Sequence, residues 1–185
     1  MNKNKLLIIV RAAVVAALYF VLTLLVAPVA FGPIQLRFGE ALTILPVIFP
    51  ESVLGLTLGC LLANVLSPYG WYDMLFGTMA TLLASISTFL IGRVYKLKLT
   101  ARIALGAIPP ILVNAVVLPI IWYIFAGDVG YWVNFASILL SQALVILVVG
   151  IPLTMGLTKI PFVNMKNFSE TQKVSESDTA APHTK

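Results

Sequence analysis

Gln35-Leu36-Arg37-Phe38-Gly39-Glu40-Ala41-Leu42-Thr43-Ile44-Leu45-Pro46 sets a guanidinium and a carboxylate three residues apart at the mouth of an apolar run. A charge at membrane depth costs about 2.5 kcal/mol or more unless it is paired or used. Residues 41–66 then admit two readings: one long helix broken at Pro50, or a hairpin that turns at Pro50-Glu51. The choice fixes how many times the chain crosses a bilayer and on which side every later loop lies.

Composition supports the bilayer. The chain is 60% hydrophobic and 10% charged, the balance of a polytopic membrane protein rather than a soluble domain. Its 185 residues leave room for about six spans of ~20 residues. Apolar runs occupy residues 6–27, 41–49, 52–66, 74–91, 103–125 and 131–157. The second is about half a bilayer long at ~1.5 Å per residue if α-helical. Lys3 and Lys5 precede the first run and Arg11 lies near its start, as in a signal peptide, but the run is too long for a signal core and is read as a retained helix.

Charge decides between the two readings. With six spans and the N-terminus inside, the cytoplasmic side receives Lys3, Lys5 and Arg11, then Arg93, Lys96, Lys98 and Arg102, then Lys159, Lys166, Lys173 and Lys185. Of the 12 basic residues, Arg37 is left outside. Five spans would export the Arg93–Arg102 group and the tail lysines, against the positive-inside rule. The expected fold is therefore an all-α integral membrane protein with six transmembrane helices and both termini cytoplasmic. Residues 1–160 form the membrane domain, and residues 161–185 a polar, disordered cytoplasmic tail. Trp71, Tyr72, Tyr131 and Trp132 flank the outer segment ends, where aromatic belts form.

Several residues offer recognition chemistry. At three-residue spacing Arg37 and Glu40 would face each other on a helix, either as an ion pair pinning the loop or as groups that hold a polar solute. Asp73 and Asp128 share the outer half with Arg37, an acidic vestibule suited to a cationic or hydrogen-donating solute. Asn64, Asn114 and Gln142 are costly in lipid and fit a lined cavity. Asn134, Ser137 and Ser141 share one helical face, as do Thr78, Thr81, Ser85 and Thr88, and such hydroxyls mostly serve packing. Ala12/Ala16 and Ala13/Ala17 make flat stripes for close helix approach, either within the chain or against a partner.

Catalysis has no support. The one histidine, His183, lies in the tail, and the one cysteine, Cys60, sits in an apolar segment. No metal cluster, nucleophile–base set or glycine-rich phosphate loop is present in the sequence, so neither enzyme activity, cofactor nor metal is expected. The basic residues lack the aromatic interleaving of a nucleic-acid surface.

The run Gln35–Pro46 resembles the signature of the QueT family. So does Gly59-Cys60-Leu61-Leu62-Ala63-Asn64-Val65-Leu66-Ser67-Pro68, continuing through Tyr69-Gly70-Trp71-Tyr72-Asp73 to Phe76-Gly77-Thr78. That family comprises substrate-binding (S) components of energy-coupling factor (ECF) transporters, and the likeness runs from the first helix to about Leu157. It implies a plasma-membrane subunit that captures queuosine precursors, which are 7-deazaguanine compounds. It also implies a transmembrane coupling subunit and two cytoplasmic ATPases as partners. The alanine motif that meets the coupling subunit maps onto Ala12/Ala16 or Ala13/Ala17. A guanine-like edge would suit Glu40 or Asp73 as acceptors and Arg37 or an Asn amide as donor. Trp71, Tyr72 and Trp132 are available as an aromatic wall. An S component for another vitamin or nucleobase, or a membrane scaffold with a purely structural Arg37–Glu40 pair, are the alternatives.

Overall fold

The computed structural model describes residues 3–30 and 35–160, and among these every regular element is helical. Residues 31–34, between the first two apolar runs, and the predicted tail with His183, lie outside the described residues. Helix α1 (Lys3–Leu24) has no proline or glycine to break it and extends about 33 Å at ~1.5 Å per residue. A single turn, α2 (Ala27–Ala30), follows.

The segment Phe38–Val47 is a 3-10 helix of 10 residues. A run that long is uncommon, because the bent hydrogen bonds of this helix leave it weak on its own. Here the stabilisation comes from packing on all sides: Gly39 to Val47 are all buried, with Leu42, Ile44, Leu45 and Val47 in the main core beside Val15, Tyr19, Leu56 and Ile146. The tighter winding also lengthens the segment. At ~2.0 Å rise it reaches about 20 Å, against ~15 Å for an α-helix of the same length. The half-bilayer estimate based on α-helix therefore falls short.

After this segment the chain reverses, as the hairpin reading predicts. Ser52 N–H donates to Phe49 O and Val53 N–H to Pro50 O, and α3 (Ser52–Asn64) runs back beside α1. The turn is tied down by Arg11, whose Nη1 lies 3.1 Å from Glu51 Oε1 and whose guanidinium sits 5.3 Å over the Phe49 ring. Helices α1 and α3 meet backbone to backbone: a Cβ at Gly55 would stand 2.5 Å from Ala12 O, and one at Gly59 2.8 Å from Ala16 O. Gly55 and Gly59 supply the small-xxx-small face for which the alanines are the counterpart.

The remaining segments are helices with local irregularities. A π-turn, Asp73–Gly77, leads into α4 (Thr78–Gly92). The predicted run at 103–125 starts earlier and is divided into α5 (Leu99–Gly106) and α6 (Ile108–Phe125). The break has a cause: Pro109 and Pro110 lack N–H groups and fit only the first turn of a new helix. The last apolar stretch consists of α7 (Tyr131–Val145), a π-turn Ile146–Gly150, and α8 (Ile151–Thr158). Four continuous stretches, Lys5–Leu24, Asp73–Gly92, Leu99–Phe125 and Tyr131–Thr158, are long and apolar enough to cross a membrane, while Phe38–Val47 and Ser52–Asn64 are shorter apolar helices. Arg37, Asn64, Asp73 and Trp122 gather at one end of the bundle; Arg11 with Glu51, and Arg102 with the Gly92 carbonyl, mark the other.

Candidate solute site inside the bundle

Two polar centres are buried in this apolar frame. The first is built on Asp73, in the π-turn, and has no solvent exposure. Its Oδ2 accepts from Ser67 Oγ at 2.6 Å and from Arg37 Nη2 at 3.3 Å, and its Oδ1 accepts from Trp122 Nε1 at 2.9 Å. Arg37 also donates from Nε to Ala30 O at 3.2 Å and from Nη1 to Asn64 Oδ1 at 3.1 Å. The Asn64 amide completes the ring by donating to the Asp73 carbonyl at 2.9 Å. Trp122 stacks on Tyr69, with centroids 4.4 Å apart and planes 8° from parallel. Burial, and then the carboxylates of Asp128 and Asp73, push the Tyr69 phenol above its ordinary range.

Arg37 thus takes Asp73 as its ion-pair partner. The face-to-face pairing with Glu40 that three-residue spacing offers requires both residues to be helical. Arg37 instead has an extended backbone (φ −104°, ψ 106°) just before the 3-10 helix begins. Nor is Asp73 part of an open acidic vestibule, because three donors converge on its buried carboxylate.

The second centre surrounds Glu40, 2% exposed. Tyr19 O–H donates to Glu40 Oε1 at 2.5 Å and Asn114 Nδ2 to Oε2 at 3.3 Å, and the Gln142 side chain lies beside the same carboxylate. Four elements therefore meet at one carboxylate: α1, the 3-10 helix, α6 and α7. Gly39 allows it. A Cβ there would stand 2.5 Å from Thr23 Oγ1 and 2.8 Å from Tyr19 O, so only glycine lets the chain press onto α1 and deliver Glu40 to the Tyr19 hydroxyl. Tyr19 is fully buried.

Arg37, Asn64 and Asp73 thus share one centre, and Glu40, Asn114 and Gln142 the other. The remaining candidates lie elsewhere. Trp71 and Trp132 are 58% and 76% exposed; Trp71 packs on Tyr72, and Tyr72 on Phe125. Asn134 donates to Asp128 Oδ2 at 2.8 Å. Ala12 and Ala16 are buried against α3, whereas Ala13 and Ala17 are exposed. On α4, Thr81, Ser85 and Thr88 face inward; Thr81 Oγ1 donates to Cys60 Sγ and Thr88 Oγ1 to Gly106 O. Sequence reasoning passed over Tyr19 and Trp122. One available signal was that Tyr19 lies three residues beyond Ala16, on the face that turns inward.

A profile of the QueT transporter family matches residues 9–159. The chain belongs to this family. Its members are transporters, not enzymes, and this QueT-family chain is a multi-pass protein of the cell membrane. Among curated proteins it resembles the queuosine precursor transporter QueT of Lactococcus lactis subsp. cremoris (strain MG1363), at 37% identity over 84 residues. That alignment takes in 44% of this chain and about half, 49%, of the relative. No solved structure matches it.

Proposed function

We propose that this chain is the solute-binding subunit of an ECF-type importer for a queuosine precursor, a 7-deazaguanine compound. The observation that carries the reading is the Glu40 centre. Within the apolar bundle, neutral donors from α1 and α6 hold a carboxylate while the guanidinium of the same motif goes to Asp73. A carboxylate can accept the neighbouring N–H groups of a guanine-like edge, and the name of the Lactococcus relative points to that chemistry. The Asp73 centre acts as the scaffold that holds the mouth of the motif in place.

In this reading residues 1–160 form six membrane segments, with Phe38–Val47 and Ser52–Asn64 as the two arms of a hairpin. Both termini face the cytoplasm, and residues 161–185 are a cytoplasmic tail. The solute enters from the opposite face. ATP is hydrolysed by two cytoplasmic ATPases that act through a transmembrane coupling subunit. Ala13 and Ala17 are the stripe left for that subunit, since Ala12 and Ala16 are engaged by Gly55 and Gly59. Thermal unfolding of the purified protein with a panel of deazapurines, purines and vitamins tests the assignment. A 7-deazaguanine should raise the melting temperature more than any other compound, and no shift at saturating concentration would remove the substrate assignment.

A further inference from the structure

Two buried side-chain amides are incompletely bonded: Gln35 Nε2 and Gln142 Oε1 have no hydrogen-bond partner, although the residues are only 3% and 4% exposed. The other such atoms among the described residues are hydroxyl oxygens of Thr23, Thr78, Ser85 and Thr154, and Arg102 Nε. A hydroxyl can rotate toward an acceptor, and Arg102 is anchored through Nη1 on the Gly92 carbonyl. An amide is planar, so its donor and acceptor directions are fixed together, and an unmet one in a dry interior calls for a partner.

The two residues are linked through α7: the Gln142 side chain lies beside Glu40, and the Gln35 backbone carbonyl accepts from Oγ of the preceding residue, Ser141, at 3.3 Å. Gln35 is also the one non-glycine described residue with positive φ, 47°. Such a conformation persists where the surroundings dictate it and is concentrated at ligand clamps.

We infer that Gln35 and Gln142 read the edge of the solute that Glu40 holds: the Gln142 Oε1 accepts from its exocyclic amine and the Gln35 Nε2 donates to its ring carbonyl. Glu40 accepts the ring N–H between them. The protein's set of one donor and two acceptors is the complement of a 2-amino-oxo-pyrimidine edge, which offers one acceptor and two donors. The inference rests on the reading of the chain as a 7-deazaguanine binder. A site built to bond an N–H or C=O rejects analogues that lack it, because its own groups are then left unpaired.

The test is calorimetric titration of the full chain in detergent with three probes: 7-deazaguanine, 7-deazahypoxanthine (no exocyclic amine) and the 6-thio analogue of 7-deazaguanine. The thio analogue keeps the ring N–H but offers sulfur, a weak acceptor. Wild type should bind 7-deazaguanine at least about tenfold more tightly than either analogue, which is about 1.4 kcal/mol. Gln142→Leu also removes a neighbour of Glu40 and so lowers binding of every probe, but it should lower 7-deazaguanine most, shrinking the tenfold preference over 7-deazahypoxanthine to within about threefold. Gln35→Leu should weaken 7-deazaguanine and 7-deazahypoxanthine alike and spare the thio analogue. Gln35→Met, close in length and uncharged but without the donor amide, replaces the leucine variant if that one does not fold. Wild type that binds none of the probes removes the functional reading and this inference with it. Wild type that binds 7-deazaguanine, with variants that weaken all three probes equally or none, overturns the inference and leaves the reading in place.

Discussion

Arg37 Nη2 lies 3.3 Å from Asp73 Oδ2, joining the start of the 3-10 helix to the π-turn that opens α4. Both side chains are buried, at 4% and 0% exposure. Each satisfies the other's charge, and Ser67, Asn64, Ala30 and Trp122 meet the remaining donor and acceptor positions.

Breaking that pair from one side leaves the other charge buried and uncompensated, at a cost of about 3–5 kcal/mol. Asp73→Asn should therefore lower the melting temperature of the ligand-free protein sharply. Replacing both residues together, Arg37→Met with Asp73→Leu, should recover only part of the loss, because it removes the unpaired charge but leaves Trp122 Nε1, Ser67 Oγ and Asn64 Oδ1 without their partners. An unchanged melting temperature in Asp73→Asn would show that the pair does not hold the fold.

The backbone contact between α1 and α3 makes a separate prediction. Gly59→Ala forces a methyl to within 2.8 Å of Ala16 O, and overpacking of this kind costs about 1–3 kcal/mol. Denaturant or thermal unfolding should show the loss, with Gly55→Ala behaving alike.

Ala13 and Ala17 should respond in the opposite way. They are exposed, so Ala13→Leu with Ala17→Leu should leave stability and solute binding unchanged. The same double variant should fail to co-purify with the coupling and ATPase subunits when these are co-expressed. Normal assembly would relocate the docking face.

If Glu40 holds the solute as proposed, Tyr19 acts on it through the hydrogen bond to that carboxylate. Tyr19→Phe removes one donor from the carboxylate, and hydrogen bonds to charged groups contribute about 1.5–3 kcal/mol. Part of that loss falls on the fold. The rest should appear as roughly tenfold weaker solute binding by calorimetry, and an affinity equal to wild type would mean that the hydroxyl does not position Glu40.

Much of the architecture was legible in the sequence because hydropathy and charge are read along the chain. The apolar runs and the turn at Pro50-Glu51 follow from local chemistry. The partners of the charges do not. That Arg37 meets Asp73 and Glu40 meets Tyr19 depends on how helices rotate against one another, and runs apolar on most sides carry little record of rotation. The 3-10 winding of Phe38–Val47 is hidden for the same reason: a segment buried all round has no amphipathic period to reveal it. Trp71 and Trp132 drew attention as aromatic walls because both flank polar loops, yet the buried ring is Trp122, whose indole N–H has Asp73 as its acceptor.

The central claim is that Glu40 holds the solute while Arg37 and Asp73 hold the fold. Titration of 7-deazaguanine into purified Glu40→Gln, with the ligand-free melting temperature measured on the same sample, tests it most directly. The account predicts a folded protein, melting within a few degrees of wild type, whose affinity has fallen at least about tenfold, or about 1.4 kcal/mol. Wild-type affinity in a variant that has lost stability would contradict it and make Glu40 a structural residue.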